Sequence, residues 1–298
     1  MTSSDRKALV TPDKRKAGVI VQHTYGKSKV RLTKVSRRAD RHDLEELCVD
    51  ISLAGDFEET YTTGDNSRIV ATDSMKNTVY LLAAEHPLND IESFGTALAA
   101  HFIKTYSHVE KATVSIAQDL WQRIHVEGNP HTHAFVGAGP EKRIARIEHD
   151  RNQVVVRSGI TDLRVVKTTD SAFEGFIRDK YTTLPEVKDR IFGTSISALW
   201  LYNDQIRDFN ASYATLRATV LGIFATHVSL SVQQTLHEIG QIALERCPCV
   251  QQISLTMPNE HRIPFRLTDF DMENRNEIFV TTDEPFGLIT AVIDRRSE

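Results

Sequence analysis

Cysteine is scarce in this 298-residue chain: it occurs three times, at Cys48, Cys247 and Cys249. An odd count without framework spacing argues against a disulfide-stapled secreted domain and points to a reducing, intracellular compartment. Cys247-Pro248-Cys249 is too tight and too isolated for a zinc site, and reads as a helix ending at proline. With 9 prolines, 40% hydrophobic and 26% charged residues, the composition is that of a globular protein and excludes a disordered one. No stretch approaches eighteen apolar residues, so nothing is expected to span a membrane. The net charge of −4, with both signs interspersed, leaves no broad basic face and argues against nucleic acid as a partner.

What is present is organised in two similar halves. Residues 1–19 are polar and charged, with no apolar core for a signal peptide, and are expected to form a mobile tail. Strand patterning is clear in Lys29–Val35 and Leu44–Leu53, two long strands suggesting an antiparallel hairpin. A helix follows Thr72, and a second places Ile91, Phe94, Leu98, Phe102 and Tyr106 on one face with Asn89 as its cap. Strand-like runs resume at 112–126, 132–136, 142–148 and 153–157. The second half repeats the order: strands 163–169 and 195–202, helices 209–226 and 231–246, then strands 250–257, 262–267 and 288–293. Tyr61-Thr62-Thr63 and Tyr181-Thr182-Thr183 echo each other at a distance of 120 positions, from 61 to 181. The expected division is a tail (1–19), a first domain (20–155) and a second (156–298). Strands followed by helices that cover one sheet face make an α+β layer, with the helices on one side of an antiparallel sheet.

The stretch Asn66–Tyr80 reads as a loop delivering the Thr72 hydroxyl to the mouth of a helix. Thr72, Asp73 and Ser74 are all N-cap residue types, and Met75, Val79 and Leu82 recur at helical spacing. A helix start carries spare N–H donors and partial positive charge, so an anion or developing oxyanion could be held beside that hydroxyl. From residues alone, Thr72 or Asp73 simply caps a helix, Lys27 is a solvated lysine at a strand start, Phe173 packs a core, Arg190 is a surface arginine on a short helix and Gln233 is an ordinary first-turn residue.

Val70-Ala71-Thr72-Asp73-Ser74 with Lys76-Asn77-Thr78 resembles the signature segment of urate oxidases (uricases). Four further segments resemble that family in the right order: Tyr25-Gly26-Lys27, Lys167 to Arg190, Ser231-Val232-Gln233-Gln234 and Met257-Pro258-Asn259-Glu260-His261. Methionine at 257 replaces the leucine associated with the last motif, and Pro185 follows Leu184. Together the segments span about residues 20–296.

The resemblance implies tandem tunnelling-fold domains whose sheets join across subunits into a barrel in a homotetramer. It also implies oxidation of urate by O2 to 5-hydroxyisourate and hydrogen peroxide without metal or organic cofactor. Lys27 and Thr72 match the family's base dyad, and His261 its proton relay. Phe173 matches the ring that stacks on the purine, and Leu184 an apolar contact. Arg190 and Gln233 match the clamp on opposite edges of the ring, with the Val232 and Asp73 backbones alongside. Asn259, with Thr72, matches the seat for dioxygen and water. The physics suits these roles: a guanidinium fork gives two parallel donors, glutamine offers donor and acceptor, and a lysine can act as a base once burial or a nearby cation lowers its pKa. The two groups, Lys27/Thr72 and Phe173/Arg190/Gln233/Asn259, are expected to come from different chains.

Two other readings remain at this level. His131-Thr132-His133 lies in a strand-like run, where alternate side chains share a face and can bind a metal. That admits a zinc-dependent tunnelling-fold enzyme acting on a purine or pterin. The other is a non-catalytic purine-binding module. The C-terminal residues lack a Ser-Lys-Leu peroxisomal address, so the expected setting is a bacterial cytoplasm.

Overall fold

The computed structural model describes residues 18–296, so all but the last two positions of the expected tail lie outside the described residues. Eight strands form one continuous antiparallel sheet in chain order: β1 (Tyr25–Arg37), β2 (His42–Gly55), β3 (Val109–Val126), β4 (Asn129–Asp150), β5 (Val154–Lys167), β6 (Phe192–Tyr202), β7 (Val250–Pro264) and β8 (Phe279–Asp294). The helices are α1 (Glu58–Thr62), α2 (Thr72–Glu85), α3 (Ile91–Thr105), α4 (Phe209–Thr226) and α5 (Val232–Arg246). This is the expected α+β class, but the two halves share one sheet, joined where β4 pairs with β5.

Alternation decides which sheet face is covered. Leu47, Val49, Ile51 and Leu53 of β2 are buried, while Cys48, Asp50 and Ser52 between them are not. The buried set packs with Met75 and Val79 of α2 and Phe94, Leu98 and Phe102 of α3 in one core. A second core gathers Phe192, Ile196, Ala198 and Trp200 of β6, Leu216 and Val220 of α4, and Leu236 and Ile239 of α5. The uncovered face is polar: Asp50, Ser52, Lys111, Thr113, Ser115 and Arg146 line an open concavity of about 420 Å³ there.

Several sequence boundaries move. The runs 132–136 and 142–148 are one strand, β4, and 153–157 joins 163–167 in β5, because a β-bulge rather than a turn interrupts each pattern. The strand expected over 262–267 stops at Pro264, and Leu267–Phe270 is a short 3-10 helix. Asp90, not Asn89, caps α3 by accepting from Ser93 N at 2.6 Å. The N-cap of α2 is Ala71, leaving Thr72 as its first residue with no side-chain cap.

The repeat is more exact in space than in sequence. Helices α3 and α5 both have 15 residues, and their caps Asp90 and Ser231 lie 141 positions apart, as do Val109 and Val250 at the start of the next strands. In β1 the pairing breaks between Lys27 and Val30, with Lys29 at φ 57°; in β5 it breaks between Ile160 and Leu163, with Asp162 at φ 57°. A Cβ on Gly26 would lie 1.8 Å from Ile51 O, and one on Gly159 would lie 2.2 Å from Ala198 O. Lys34 Nζ donates to the Ala83 and His86 carbonyls ending α2, and Lys167 Nζ to the His227 carbonyl ending α4. Tyr25-Gly26-Lys27 thus corresponds to Ser158-Gly159-Ile160. The Tyr-Thr-Thr echo does not belong to this repeat, since one copy forms the C-terminal end and cap of α1 and the other lies in the irregular connection before β6.

Candidate active site

The connection between β5 and β6 is long and belongs to no regular element, so its backbone groups need partners elsewhere. Ser229 N donates to Asp170 O at 2.9 Å and Ala172 N to Ser229 O at 2.7 Å; Phe173 and Val187 exchange bonds of 2.8 and 3.1 Å. Arg190 N donates to Ser171 O at 2.8 Å. These bonds tie Phe173, Arg190 and the approach to α5 into one unit. Ser231 then caps α5, its Oγ accepting from Gln234 N at 3.1 Å, which leaves Val232 buried and Gln233 exposed on the first turn.

Beside this unit lies a cleft of about 370 Å³. Phe173, Leu184, Arg190, Asn259 and His261 all line it. Asn259 and His261 reach it because β7 and β8 change register between them: Asn259 pairs with Gly287, whereas His261 pairs with Thr282. Such irregularities re-aim side chains and are common beside active sites. The Arg190 guanidinium carbon lies 5.4 Å from the centre of the Phe173 ring, and Arg190 Nε is buried without a hydrogen-bond partner. Burial draws the Arg190 pKa below the ordinary arginine value. A cation desolvated in this way is stabilised by any anionic ligand that reaches it. An aromatic face, a half-buried cation and an amide thus converge on one space, suited to a flat, electron-rich anion.

Val232 and Gln233 do not line the cleft itself; they stand at the start of α5, fixed to the connection bearing Phe173 through Ser229. Residues that the sequence did not single out also line it: Arg262, Ile263, Pro264, Asn276 and Phe279. The Arg262 guanidinium lies against Gly193, where a Cβ would come within 2.8 Å of Arg262 Nη1. Its Nη2 donates to Glu260 Oε2 at 3.2 Å.

Lys27, Thr72 and Asp73 are brought together elsewhere, at the first half's end of the sheet. Tyr25 Oη accepts from Val70 N at 2.8 Å, pinning the loop before α2 onto β1 two residues from Lys27. The Asp73 carboxyl, hydrogen-bonded by Lys76 at 2.5 Å and Asn77 at 3.1 Å, is held below the usual carboxylate range, first by Lys76 and in smaller part by the charge of Lys27. Lys27 is half-buried, and Thr72 and Asp73 are exposed. None of the three lines the second half's cleft.

His131 and His133 lie on the hairpin of β3 and β4 with ring centres 4.5 Å apart, and His42 is 5.9 Å from His133. His133 N donates to His131 Nδ1 at 3.3 Å. Among the described residues no three His, Cys, Asp or Glu side chains are grouped to hold a metal ion. No helix among them is long and apolar enough to cross a membrane.

Fold and cleft together define a class: an α+β protein built on one antiparallel sheet, with a cleft whose lining suits a planar anion. The family model described as Uricase matches residues 23–148 and 156–290. The uricase of Arthrobacter globiformis is 42% identical over 277 residues, 93% of this chain and 90% of the relative, and that of Dictyostelium discoideum is 38% identical, covering 93% and 97%. The crystal structure of the Arthrobacter globiformis uricase superposes with a TM-score of 0.90 at 41% identity, covering 94% of this chain and 96% of that one. The chain belongs to the uricase family.

Proposed function

We infer that this chain oxidises urate with O2 and water to 5-hydroxyisourate and hydrogen peroxide, at a site completed by a second copy of itself. The urate oxidase activity goes with the family. The division of labour rests on one observation: the cleft holding Phe173, Arg190 and Asn259 contains neither Lys27 nor Thr72.

The seam between the two halves supports the way two copies would meet. There β4 pairs with β5, and Arg143 stands opposite Ile160. In the repeat, β8 corresponds to β4 and β1 to β5. Arg143, partner of Gln118 in β3, corresponds to Gly287, partner of Asn259 in β7. The sheet's two free edges are β1 and β8, and edge strands are surfaces that pair. Pairing β8 of one copy with β1 of another in the seam's register sets Lys27 of the second copy opposite Gly287, next to Asn259.

At that junction Arg190 and Gln233 hold opposite edges of the urate ring, Phe173 stacks on it, and Leu184 and the Val232 and Asp73 backbones complete its surround. Lys27 and Thr72, relayed by His261, take the proton, leaving a ring rich enough in electrons to give two of them to O2 directly. O2 takes up two protons and leaves as hydrogen peroxide, while water adds its oxygen to the ring, so atoms and electrons balance. Asn259 and Thr72 seat the oxygen and then the water. The protein contributes position and a preorganised electrostatic field, with no metal or organic cofactor in the scheme. Tandem tunnelling-fold domains over 20–155 and 156–298, a barrel-forming homotetramer and a bacterial cytoplasmic setting belong to the same proposal.

Mixing tests the sharing. Lys27→Ala and Asn259→Ala chains should each be nearly inert, and dissociating and reassembling them together should restore urate-dependent oxygen uptake, because some junctions then combine two intact halves. A mixture as inert as its components refutes the shared site.

A further inference from the structure

The repeat maps the strand and helix positions of the proposed junction onto the seam inside one chain. Gln233, second residue of α5, corresponds to Glu92, second residue of α3. Asn259 corresponds to Gln118 and Gly287 to Arg143. Lys27 corresponds to Ile160, fully buried. Helices α2 and α4 have His86 and His227 as their C-caps, again 141 positions apart, so Thr72 corresponds to Tyr213. The connection bearing Phe173 and Arg190 has no counterpart, because β1 passes to β2 through residues 38–41 alone.

At this second junction a planar group is already in place. Arg143 Nη2 donates to Glu92 Oε2 at 2.7 Å and Nη1 to Asn210 Oδ1 at 2.6 Å, and its guanidinium carbon lies 4.6 Å from the Tyr213 ring centre. Ser158 Oγ donates to the other Glu92 oxygen at 2.5 Å. Glu92 and Ser158 are fully buried and Arg143 is 7% exposed.

We propose that this seam is a second, non-catalytic copy of the ligand pocket, occupied permanently by the Arg143 guanidinium, and that once vacated it takes a free planar cation of the guanidinium type. The inference rests on the reading of Gln233 and Asn259 as ligand-holding groups. The sign of the occupant follows from the charge of its holder. The open site pairs a neutral glutamine with the Arg190 cation and suits an anion, whereas the seam offers a buried carboxylate and an aromatic face, which suit a cation. Ile160 in place of Lys27 removes the base, and a side chain at Gly287's counterpart fills the space a ligand would use.

Arg143→Ala tests this through chemical rescue in the full-length protein. Its Tm should fall by about 10 °C, since a buried carboxylate loses its partner in a chain of this size. Millimolar guanidinium chloride should raise that Tm, sodium chloride and urea should not, and a crystal soaked with guanidinium should place the ion between Glu92 and Tyr213. The Glu92→Gln, Arg143→Ala double variant, with no carboxylate to satisfy, should show no guanidinium effect. Equal responses to guanidinium and sodium, or an equal rescue of the double variant, overturn the proposal. So does an Arg143→Ala chain that guanidinium fails to bring to a folded state while Glu92→Gln, Arg143→Met folds. These readouts do not involve urate turnover, so failure of the mixing experiment and failure of this one are distinguishable.

Discussion

Gly26→Ala asks whether one backbone contact sets both stability and chemistry. A Cβ at position 26 would lie 1.8 Å from Ile51 O and 2.7 Å from Ile51 C, against the roughly 3.5 Å at which carbon sits comfortably on its neighbours. Both atoms are main chain of β2, beside the break in the β1 to β2 pairing, so no rotamer change relieves the clash, and the strands must part. Overpacking of this kind costs about 1–3 kcal/mol. Losing the bonds around the pairs Gly26 with Ser52 and Lys27 with Ile51 adds about 1 kcal/mol each. The sum is about 4 kcal/mol, or roughly 10 °C in Tm for a chain of this size. Because Lys27 is the next residue, a shift of about 1 Å should also cut kcat/KM by about a hundredfold. Gly159→Ala meets Ala198 O at 2.2 Å in the corresponding place and should lose similar stability, but with normal turnover per folded molecule. Gly222, in α4 with nothing within 4 Å, is the control: alanine there should add about 0.5–1 kcal/mol. Thermal melts and oxygen-uptake kinetics on the three variants separate the effects. Wild-type Tm and turnover in Gly26→Ala would refute the argument, as would a turnover loss in Gly159→Ala matching that of Gly26→Ala.

Two more predictions use single groups. Arg190→Lys keeps the charge but not the parallel donors, and should weaken urate binding by about 2 kcal/mol, seen as a roughly thirtyfold rise in KM; an unchanged KM would remove Arg190 from the clamp. Glu148 accepts from Lys111 at 2.5 Å and from Arg146 at 3.1 Å, and the Lys111 bond foremost holds its carboxyl below the usual range. A depressed carboxyl pKa adds stability that is fully present above the unfolded value, near 4.3, and lost as pH falls through the lower folded value. Glu148→Gln should therefore flatten the fall in Tm on the acid side of about pH 4, and a slope identical to wild type would show that these contacts carry no linkage.

Local pattern made much of this legible. Amphipathic spacing placed α3, α4 and α5 within a residue or two, since burial on one face dictates both sequence and helix. Strand extent was less readable, because β-bulges shift the alternation by a residue and split β5 into two apparent strands. The five residues of the cleft that the sequence named came from resemblance to a family; each taken alone looked like a cap, a core ring or a surface charge. Arg262, Asn276 and Phe279 could not be read from local pattern because the tertiary fold, with its register change between β7 and β8, brings them to the cleft. The seam network escaped too, since Glu92 and Arg143 look like ordinary charges until the tertiary fold buries them face to face.

The repeat explains why only one of two similar junctions is suited to catalysis. Asp150 accepts from Asn152 N and Gln153 N, at 2.7 and 2.9 Å, in the tight turn that fastens β4 to β5. A junction closed by a turn of three residues within one chain gives a ligand no separate edges to enter between, and burying a fixed guanidinium there stabilises the contact of the two cores. In the proposed assembly the other junction lies between β8 of one copy and β1 of another, the two free edges of the sheet. Its counterpart of Arg143 is Gly287, where a Cβ would touch nothing nearer than 3.8 Å. A side chain introduced there, as in Gly287→Arg, should do for the open junction what Arg143 does for the seam: fill it, exclude urate, and leave two copies free to pair.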